Sequence, residues 1–307
     1  MPERDLRIVE LRAPAGHLVA RFAAGAGMVG CSLRHRGEEL LGILRGVDAY
    51  LEQGKTFGIP LLHPWANRLG GWRYEVAGRA VSLDRSSPLV RADGTEHGLP
   101  IHGVLAAGSR WRVTDSNARS VHAELDWAAD PDRLALFPFP HVAALDVRLD
   151  DDGLRVETTV QATGDVPVPL SFGFHPYLAP PAAPREHWEV ELPALTHLGL
   201  DDRGLPTGAR EPAPAERFTL GTRTYDDLFA VEELPARFAV RDGERRLAIE
   251  LAAGYRYAQV FAPAAKQVIC FEPMTAPVDA LRTHEDLRCI DPGGRATATF
   301  ALRVEEL

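Results

Sequence analysis

Apolar and polar residues alternate in short runs along most of this chain. Clear examples are residues 17–22, 154–160 and 298–304, which are also rich in valine, threonine and phenylalanine. Successive side chains of a strand point to opposite faces, so this alternation is typical of strands with one buried face. The pattern predicts a protein built mainly of β-strands.

Turn sequences that contain aspartate and glycine join several of these strands. The two clearest cases connect residues 142–149 to 154–161, and residues 238–240 to 247–251. Such short turns favour antiparallel hairpins, whereas parallel strands need long crossover helices. No regular helical pattern of that length is visible, so we predict an all-β fold of mainly antiparallel sheets with few short helices.

The best candidate for a helix is residues 277–287, a short segment late in the chain. An alanine- and proline-rich stretch at residues 178–185 has the composition of a linker, but the strand-like segment 187–192 follows at once. We find no internal repeat. The expected organisation is therefore a single domain that covers residues 1–307.

The composition and net charge of the chain indicate which kinds of binding partner to expect. The chain has 307 residues, 45% of them hydrophobic, and a formal net charge of −9. This balance, without any run of lysine and arginine, excludes nucleic acid and an anionic membrane as expected partners and mildly disfavours anionic ligands. No apolar segment has the length of a membrane span or the features of a signal peptide, so we expect a cytoplasmic protein.

Metal and nucleotide chemistry also find no support in the sequence. Three cysteines lack metal-ligand spacing, and no His-x-His or His-Glu-x-x-His pattern occurs. Glycine-rich nucleotide fingerprints and the nucleophile elbow of hydrolases are missing as well. We therefore expect no metal and no cofactor.

Two distant segments each place one titratable residue among apolar neighbours and a proline. They are residues 171–177, which contain His175, and residues 271–275, which contain Glu272. A histidine and a glutamate in partly dry surroundings are suited to general acid and base catalysis. Such residues are more often structural, so the interpretation needs support from the rest of the chain.

Three further segments offer polar groups suited to a sugar. Trp65, Asn67 and Arg68 combine an aromatic face with amide and guanidinium donors, although a solvated loop is an equal alternative. His102 precedes a glycine at the start of a strand, where it either serves a ligand or is structural. Tyr225-Asp226-Asp227 supplies carboxylates, although solvated turn charges are an equal alternative for paired aspartates.

Taken in order, these segments resemble the aldose 1-epimerase (galactose mutarotase) family. The matching residues are Gly58 and Pro60 leading to Asn67-Arg68, then Ile101-His102-Gly103, Gly173-Phe174-His175-Pro176-Tyr177, Tyr225-Asp226-Asp227-Leu228-Phe229 and Phe271-Glu272-Pro273-Met274-Thr275. Each motif alone is weak, whereas the ordered set covers nearly the whole chain. The resemblance implies a β-supersandwich with the sugar site in an open cleft.

The resemblance also implies a cofactor-free isomerase that interconverts the α and β anomers of a free aldohexose such as galactose or glucose. Glu272 would be the general base at the C1 hydroxyl and His175 the general acid at the ring oxygen, with His102 polarising or orienting that oxygen. The residues expected to bind the sugar are Arg68, Asn67, Asp226 and Trp65. The resemblance matches Asp226 rather than Asp227 on its spacing to Phe229, although a shift by one residue would exchange them. The expected partner is a small aldose, and the protein is expected to be a monomer or a homodimer.

Two alternatives stay open at this point. A mutarotase for a hexose 6-phosphate would need cations for the phosphate, and Arg68, Arg73 and Arg91 are candidates. A non-catalytic sugar-binding module would use the same cleft, but binding alone does not require both His175 and Glu272.

Overall fold

Strands predominate in the computed structural model, which describes residues 5–307. Numbered in chain order, the first strands are β1 (Ile8–Arg12), β2 (Leu18–Ala23), β3 (Val29–His35), β4 (Glu38–Glu39), β5 (Leu61–Leu62), β6 (Arg73–Val76), β7 (Arg79–Ser82), β8 (Val90–Ala92), β9 (Pro100–Val104), β10 (Arg112–Ser116), β11 (Ser120–Asp126), β12 (His141–Asp150) and β13 (Gly153–Ala162). The later strands are β14 (Val168–Leu170), β15 (Gly173–Phe174), β16 (Tyr177–Leu178), β17 (Glu189–Leu192), β18 (Leu195–Leu200), β19 (Pro206–Ala213), β20 (Glu216–Thr219), β21 (Tyr225–Ala230), β22 (Ala236–Arg241), β23 (Arg245–Ala253), β24 (Tyr257–Ala262), β25 (Ile269–Met274), β26 (Arg288–Ile290) and β27 (Arg295–Glu306). The α-helices are α1 (Gly46–Gln53), α2 (Pro131–Leu136) and α3 (Ala280–Thr283).

Two large sheets form the body of the protein. The nine-stranded sheet has the order β10-β11-β12-β13-β27-β23-β22-β17-β20. The eight-stranded sheet has the order β19-β18-β21-β24-β25-β15-β5, with β16 also paired to β25. Every pairing within these two sheets is antiparallel, which confirms the predicted fold class.

Both predicted hairpins are present. β12 pairs with β13 in a register that sets Asp150 opposite Gly153, and β22 pairs with β23. Gly153 has a φ of 143°, and a Cβ atom at this position would lie 2.1 Å from the carbonyl oxygen of Leu302 in β27. The turn therefore needs glycine for its backbone conformation and for the close approach of the neighbouring strand.

Aromatic side chains join the inner faces of the two sheets. Phe238 of β22 contacts Phe271 of β25 at a centroid distance of 5.6 Å, and Phe174 of β15 contacts Phe300 of β27 at 5.0 Å. Because side chains alternate along a strand, the inward position of Phe271 turns the next residue, Glu272, to the opposite face of its sheet. The largest buried cluster includes residues from both halves of the chain, and the single domain stays a prediction that this shared core supports.

The helix prediction at residues 277–287 was wrong in extent. Only Ala280–Thr283 forms an α-helix, because the flanking Asp279 and His284 have left-handed φ values of 66° and 62°. The sequence pattern also missed α2, which begins after Asp130, whose side chain accepts a hydrogen bond from the backbone of Arg133. Among residues 5–307, no helix is both long and apolar enough to cross a membrane.

Candidate active site

A cleft of about 460 Å³ opens on the outer face of the eight-stranded sheet. Of the residues predicted to act on a sugar, those that line it are Asn67, Arg68, His102, His175, Asp226 and Glu272. They come from loops and strands that are widely separated in the sequence. The structure thus brings together all the predicted site residues except Trp65.

Strand register builds the floor of the cleft. Asp226 of β21 lies opposite Phe261 of β24, and Gln259 of β24 lies opposite Glu272 of β25. Phe261 and Gln259 are two residues apart and therefore share one face of their strand. The alternation that buries Phe271 in the core thus presents Glu272 and its neighbours to the cleft.

His175 and Glu272 are in direct contact. His175 Nε2 lies 3.2 Å from Glu272 Oε1, and the Glu272 residue is only 2% exposed. The imidazole stacks on the ring of Tyr177 at 4.2 Å, and the phenol oxygen of Tyr177 lies 2.7 Å from Thr56 Oγ1. Within the described part of the chain, His175 Nδ1 and Glu272 Oε2 are buried without a hydrogen-bond partner. Unsatisfied buried polar atoms are costly, so these two atoms suit a polar ligand.

Burial controls the protonation of this pair. Loss of solvation, followed by the charge of Arg91, lowers the pKa of His175 to about 3. Loss of solvation, followed by the charge of Asp226, raises the pKa of Glu272 well above its usual range. The sequence left open whether burial or an ionised Glu272 would dominate at His175. In the structure burial dominates at His175, which favours the neutral imidazole, and burial likewise favours the protonated form of Glu272.

A strained backbone presents Asn67 and His102. Asn67 has a φ of 54° and His102 a φ of 62°, both in the left-handed region that non-glycine residues rarely adopt. The His102 amide donates a 2.9 Å hydrogen bond to the Asn67 carbonyl. The His102 ring lies 5.5 Å from that of His175, and its Nδ1 has no partner within residues 5–307. Such strain is concentrated at functional sites in many proteins.

The guanidinium of Arg68 is held by several acceptors. Its Nε donates to Asp93 Oδ2 at 3.1 Å and its Nη1 donates to Asn67 Oδ1 at 3.2 Å. Its Nη2 lies 3.9 Å from Asp226 Oδ2. The side chain of Asp93 is 1% exposed whereas that of Asp226 is 51% exposed. Asp93 therefore fixes Arg68 from behind, while Asp226 keeps an open side toward the cleft.

The choice between the two adjacent aspartates is clear in the structure. Asp226 lines the cleft and accepts a 2.7 Å hydrogen bond from Gln259 Nε2. Asp227 points to the other face, where its Oδ1 lies 3.1 Å from His197 Nε2. The family resemblance had favoured Asp226, and the alternation of side chains along β21 explains why the two aspartates lie on opposite faces.

The prediction that Trp65 binds the sugar was wrong. Trp65 was expected to present its ring to a sugar, but it is 0% exposed and packs 6.4 Å from the ring of Tyr74. Its backbone forms a bridge with Ser171, which anchors the segment in the core before Asn67 reverses the chain. The aromatic rings that line the cleft belong instead to Phe261 and Tyr177.

Several residues of the cleft were missed by the sequence analysis. Lys55, Asp93 and Lys266 line the cleft, and none belongs to a local motif. Gln259 is buried behind the cleft and donates a hydrogen bond to Asp226. Arg91 was proposed only as a phosphate ligand and does line the cleft, whereas Arg73 lies in a different groove. Among residues 5–307, no group of three or more His, Cys, Asp or Glu side chains is arranged to hold a metal ion.

Comparison with known proteins agrees with this geometry. The family model described as aldose 1-epimerase matches residues 7–303. The chain belongs to the aldose 1-epimerase family. Membership supports an isomerase that acts on sugars. One curated relative of this aldose 1-epimerase family member is the uncharacterized protein YihR of Escherichia coli, 24% identical over 249 residues that cover 76% of this chain and 77% of the relative.

Solved structures share the fold over the full length. A galactose mutarotase-like protein from Clostridium acetobutylicum has a TM-score of 0.82 at 17% identity, covering 99% of this chain and 100% of that one. A galactose 1-epimerase from Lactobacillus acidophilus has a TM-score of 0.71 at 13% identity, covering 97% and 98%. At these identities the likeness establishes the galactose mutarotase-like fold of this aldose 1-epimerase family member.

Proposed function

We propose that this aldose 1-epimerase family member interconverts the α and β anomers of an aldohexose such as galactose or glucose. The observation that carries the proposal is the 3.2 Å contact between His175 Nε2 and Glu272 Oε1 in a sugar-sized cleft. Mutarotation needs one proton removed from the C1 hydroxyl and one added to the ring oxygen. A buried acid and base side by side supply both transfers.

The pair holds one proton between its two members. Burial favours the protonated form of Glu272, and the direct contact with His175 allows that proton to pass to the imidazole. In the ion-pair form, Glu272 is the base that takes the C1 hydroxyl proton and His175 is the acid that protonates the ring oxygen. Because the two groups titrate as a coupled pair, the number of protons on the pair matters more than a single pKa.

Ring opening and closure then use the same two groups in opposite senses. Once the C1–O5 bond has broken, the aldehyde rotates about C1–C2 and presents its other face. The ring hydroxyl attacks C1, His175 recovers its proton from that hydroxyl and Glu272 returns one to the new C1 oxygen. His102, next to His175, is proposed to orient the ring oxygen.

Other residues of the cleft are proposed to bind the sugar. Asn67, Arg68 and Asp226 offer an amide, a guanidinium and a carboxylate, which match the donors and acceptors of hydroxyl groups. Phe261, whose ring stands edge-on to His175 at 5.7 Å, offers an apolar surface to the C–H face of the ring. These contacts would hold C1 and the ring oxygen at the catalytic pair.

Polarimetry of freshly dissolved α-D-glucose and α-D-galactose tests the proposal. We expect the protein to speed the approach to anomeric equilibrium above the uncatalysed rate, without any added metal or cofactor. Equilibration at the uncatalysed rate for every aldose tried, by protein that binds those sugars, would identify a non-catalytic sugar-binding module instead.

A further inference from the structure

Four cationic side chains surround the cleft in addition to Arg68. We call them the cationic rim: Arg45, Lys55, Arg91 and Lys266. The sequence contains only two lysines, and both belong to this rim. A concentration of positive charge is unexpected in a chain with a net charge of −9.

The rim differs from Arg68 in having no carboxylate in direct contact with its side chains among residues 5–307. Arg68 is neutralised by Asp93 at 3.1 Å and by Asp226 at 3.9 Å. Within residues 5–307, no carboxylate oxygen lies within 4.0 Å of a nitrogen of any rim side chain. Of the three carboxyl groups that line the cleft, Asp93 and Asp226 are therefore already engaged by Arg68, and Glu272 contacts His175.

Contacts place the rim beside the catalytic pair. Arg91 Nη1 donates a 3.2 Å hydrogen bond to the carbonyl of Gly54, the residue before Lys55. Thr56, the residue after Lys55, is hydrogen-bonded through its hydroxyl to Tyr177, which stacks on His175. The loop that carries Lys55 is thus tied to both Arg91 and the catalytic histidine.

Arg45 and Lys266 complete the rim. Arg45 and Lys55 flank the two ends of α1, and Lys266 lies in the turn between β24 and β25. The charges of Arg91 and Lys266 both contribute to the low pKa of His175, which places them within electrostatic reach of its ring. The rim therefore imposes a positive potential on the site of ring opening.

One other groove of the protein has balanced charges. The groove beside α2 contains Arg110, Arg112 and Arg133, but it also contains Glu124, Asp126 and Asp130. There Arg112 pairs with Glu124 at 2.5 Å and Arg133 with Asp130 at 3.2 Å. In this groove two of the three arginines are paired with acids, whereas no rim side chain is paired with one within residues 5–307.

We propose that the aldose bound in this cleft carries an anionic substituent, such as a phosphate, sulfonate or carboxylate, on a carbon remote from C1. The cationic rim binds that group while C1 and the ring oxygen face His175 and Glu272. This inference rests on the proposed mutarotase function and names the substrate class of the same site.

The chemistry of the rim fits an anion better than a neutral hydroxyl. Lysine and arginine form charge-assisted hydrogen bonds with oxyanions, and arginine adds a planar fork of donors. Like charges crowded into one cleft repel each other, and an anion relieves that repulsion. The net charge of −9 had disfavoured anionic ligands, but a local field decides binding and encounter more directly than the total charge.

Comparison of neutral and anionic sugars tests the inference. NMR anomer exchange would be measured with glucose, galactose, glucose 6-phosphate, 6-deoxy-6-sulfoglucose and glucuronate, each corrected for its uncatalysed rate. We expect at least one anionic sugar to exceed glucose by about tenfold or more in kcat/KM. That advantage should shrink as salt is raised, whereas the rate with glucose should change little.

Variants of the rim sharpen the test. Lys55→Gln and Lys266→Gln should each raise KM for the preferred anionic sugar by about tenfold, and by a larger factor than for glucose. Lys55→Arg should restore most of the loss because it keeps the charge. Arg79→Gln, on an exposed position of β7 outside the cleft, is the matched control and should leave both substrates unaffected.

The possible outcomes separate the two proposals. Preference for the phosphate, the sulfonate or the carboxylate identifies the source of the anion and supports the inference. Faster exchange of glucose or galactose than of every anionic sugar, unaffected by the rim variants, overturns the inference and leaves the mutarotase intact. If no sugar is turned over, the proposed function fails, and calorimetric binding that does not favour the anionic sugars would overturn the anion site as well.

Discussion

Two segments of this protein have the same local pattern and different surroundings. Leu62-His63-Pro64-Trp65 and Phe174-His175-Pro176-Tyr177 both place a histidine between an apolar residue and a proline that precedes an aromatic residue. His63 Nε2 lies 2.8 Å from His141 Nε2 in the core, whereas His175 Nε2 lies 3.2 Å from Glu272 Oε1 at the cleft. Burial lowers the pKa of both histidines.

The antiparallel direction of the two strands explains why the two histidines lie in different surroundings. Leu62 of β5 pairs with Gly173 of the antiparallel β15, so the chains leave this ladder at opposite ends. His63 emerges among Trp127 and Phe172, with ring distances of 5.1 and 6.3 Å. His175 emerges at the other end, where the sheet opens on the cleft.

The partners decide what each histidine is able to do. His141 is satisfied on both nitrogens, since its Nδ1 lies 2.6 Å from the carbonyl of Phe139 and its Nε2 contacts His63. In the cleft pair, Glu272 Oε2 and His175 Nδ1 have no partner among residues 5–307. The His63–His141 pair is therefore structural. The His175–Glu272 pair, which is also buried but has unpaired polar atoms beside a cleft, is a candidate acid and base.

The largest expected effect comes from breaking the cleft pair. Glu272→Gln or His175→Asn should lower kcat by ~10²–10⁴-fold, because each removes one proton-transfer group. Both substitutions keep size and polarity, so circular dichroism and the melting temperature should stay close to those of the unchanged protein. Near-normal turnover in either variant would contradict the proposed roles of His175 and Glu272 as acid and base.

Breaking the core pair should instead affect stability. His141→Leu leaves His63 Nε2 buried without its 2.8 Å partner, which costs about 1–3 kcal/mol in the free energy of unfolding. Urea unfolding measures this change, and anomer exchange at a temperature where the variant is folded should be near normal. A collapse of turnover without loss of stability would contradict the structural role of the pair.

A smaller effect on turnover should follow from removing the carboxylate of Asp93 that holds Arg68 in place. Asp93→Asn removes the charge that holds Arg68 Nε at 3.1 Å, so KM for the sugar should rise by about tenfold while kcat changes less. Asp115→Asn, on exposed β10, is a matched control. A fall in kcat with unchanged KM would show that Asp93 acts on the chemical step rather than on the position of Arg68.

The smallest expected change concerns pH. Burial lowers the pKa of His175 to about 3 from its usual 6.5. The imidazole therefore becomes protonated, in addition to the proton on Glu272, only in strong acid. The raised pKa of Glu272 means that the pair loses its one proton at a higher pH than an exposed carboxyl group would. Activity at pH 5 should therefore stay within about twofold of that at pH 7. An acid limb centred near 6.5 would contradict the buried environment of His175.

Much of the fold was predictable from local patterns. The alternation of residues 154–160 and the aspartate-glycine turns specify strands and hairpins directly. The helix at residues 277–287 was overestimated because no local pattern revealed the left-handed conformations of Asp279 and His284. Long-range pairing between strands, which sets the order of the two sheets, is likewise not readable from one segment.

Part of the candidate site was likewise predictable from local motifs, and part was not. His175, Glu272 and Arg68 stand in motifs and were found, whereas Lys55 and Lys266 are single charges in loops that only the fold brings together. Trp65 was assigned to the sugar because it precedes Asn67 and Arg68, but the left-handed φ of 54° at Asn67 turns the chain after the tryptophan is already buried. Sequence proximity therefore does not establish a shared surface.

Saturation-transfer NMR between the two anomers at equilibrium tests the central claim most directly. The measurement would compare the unchanged protein, Glu272→Gln and His141→Leu with the same aldose at the same concentration. The account predicts fast exchange for the unchanged protein and for His141→Leu, and exchange near the uncatalysed rate for Glu272→Gln. Fast exchange that persists in Glu272→Gln would show that the buried His175 and Glu272 pair is not the acid and base of this protein.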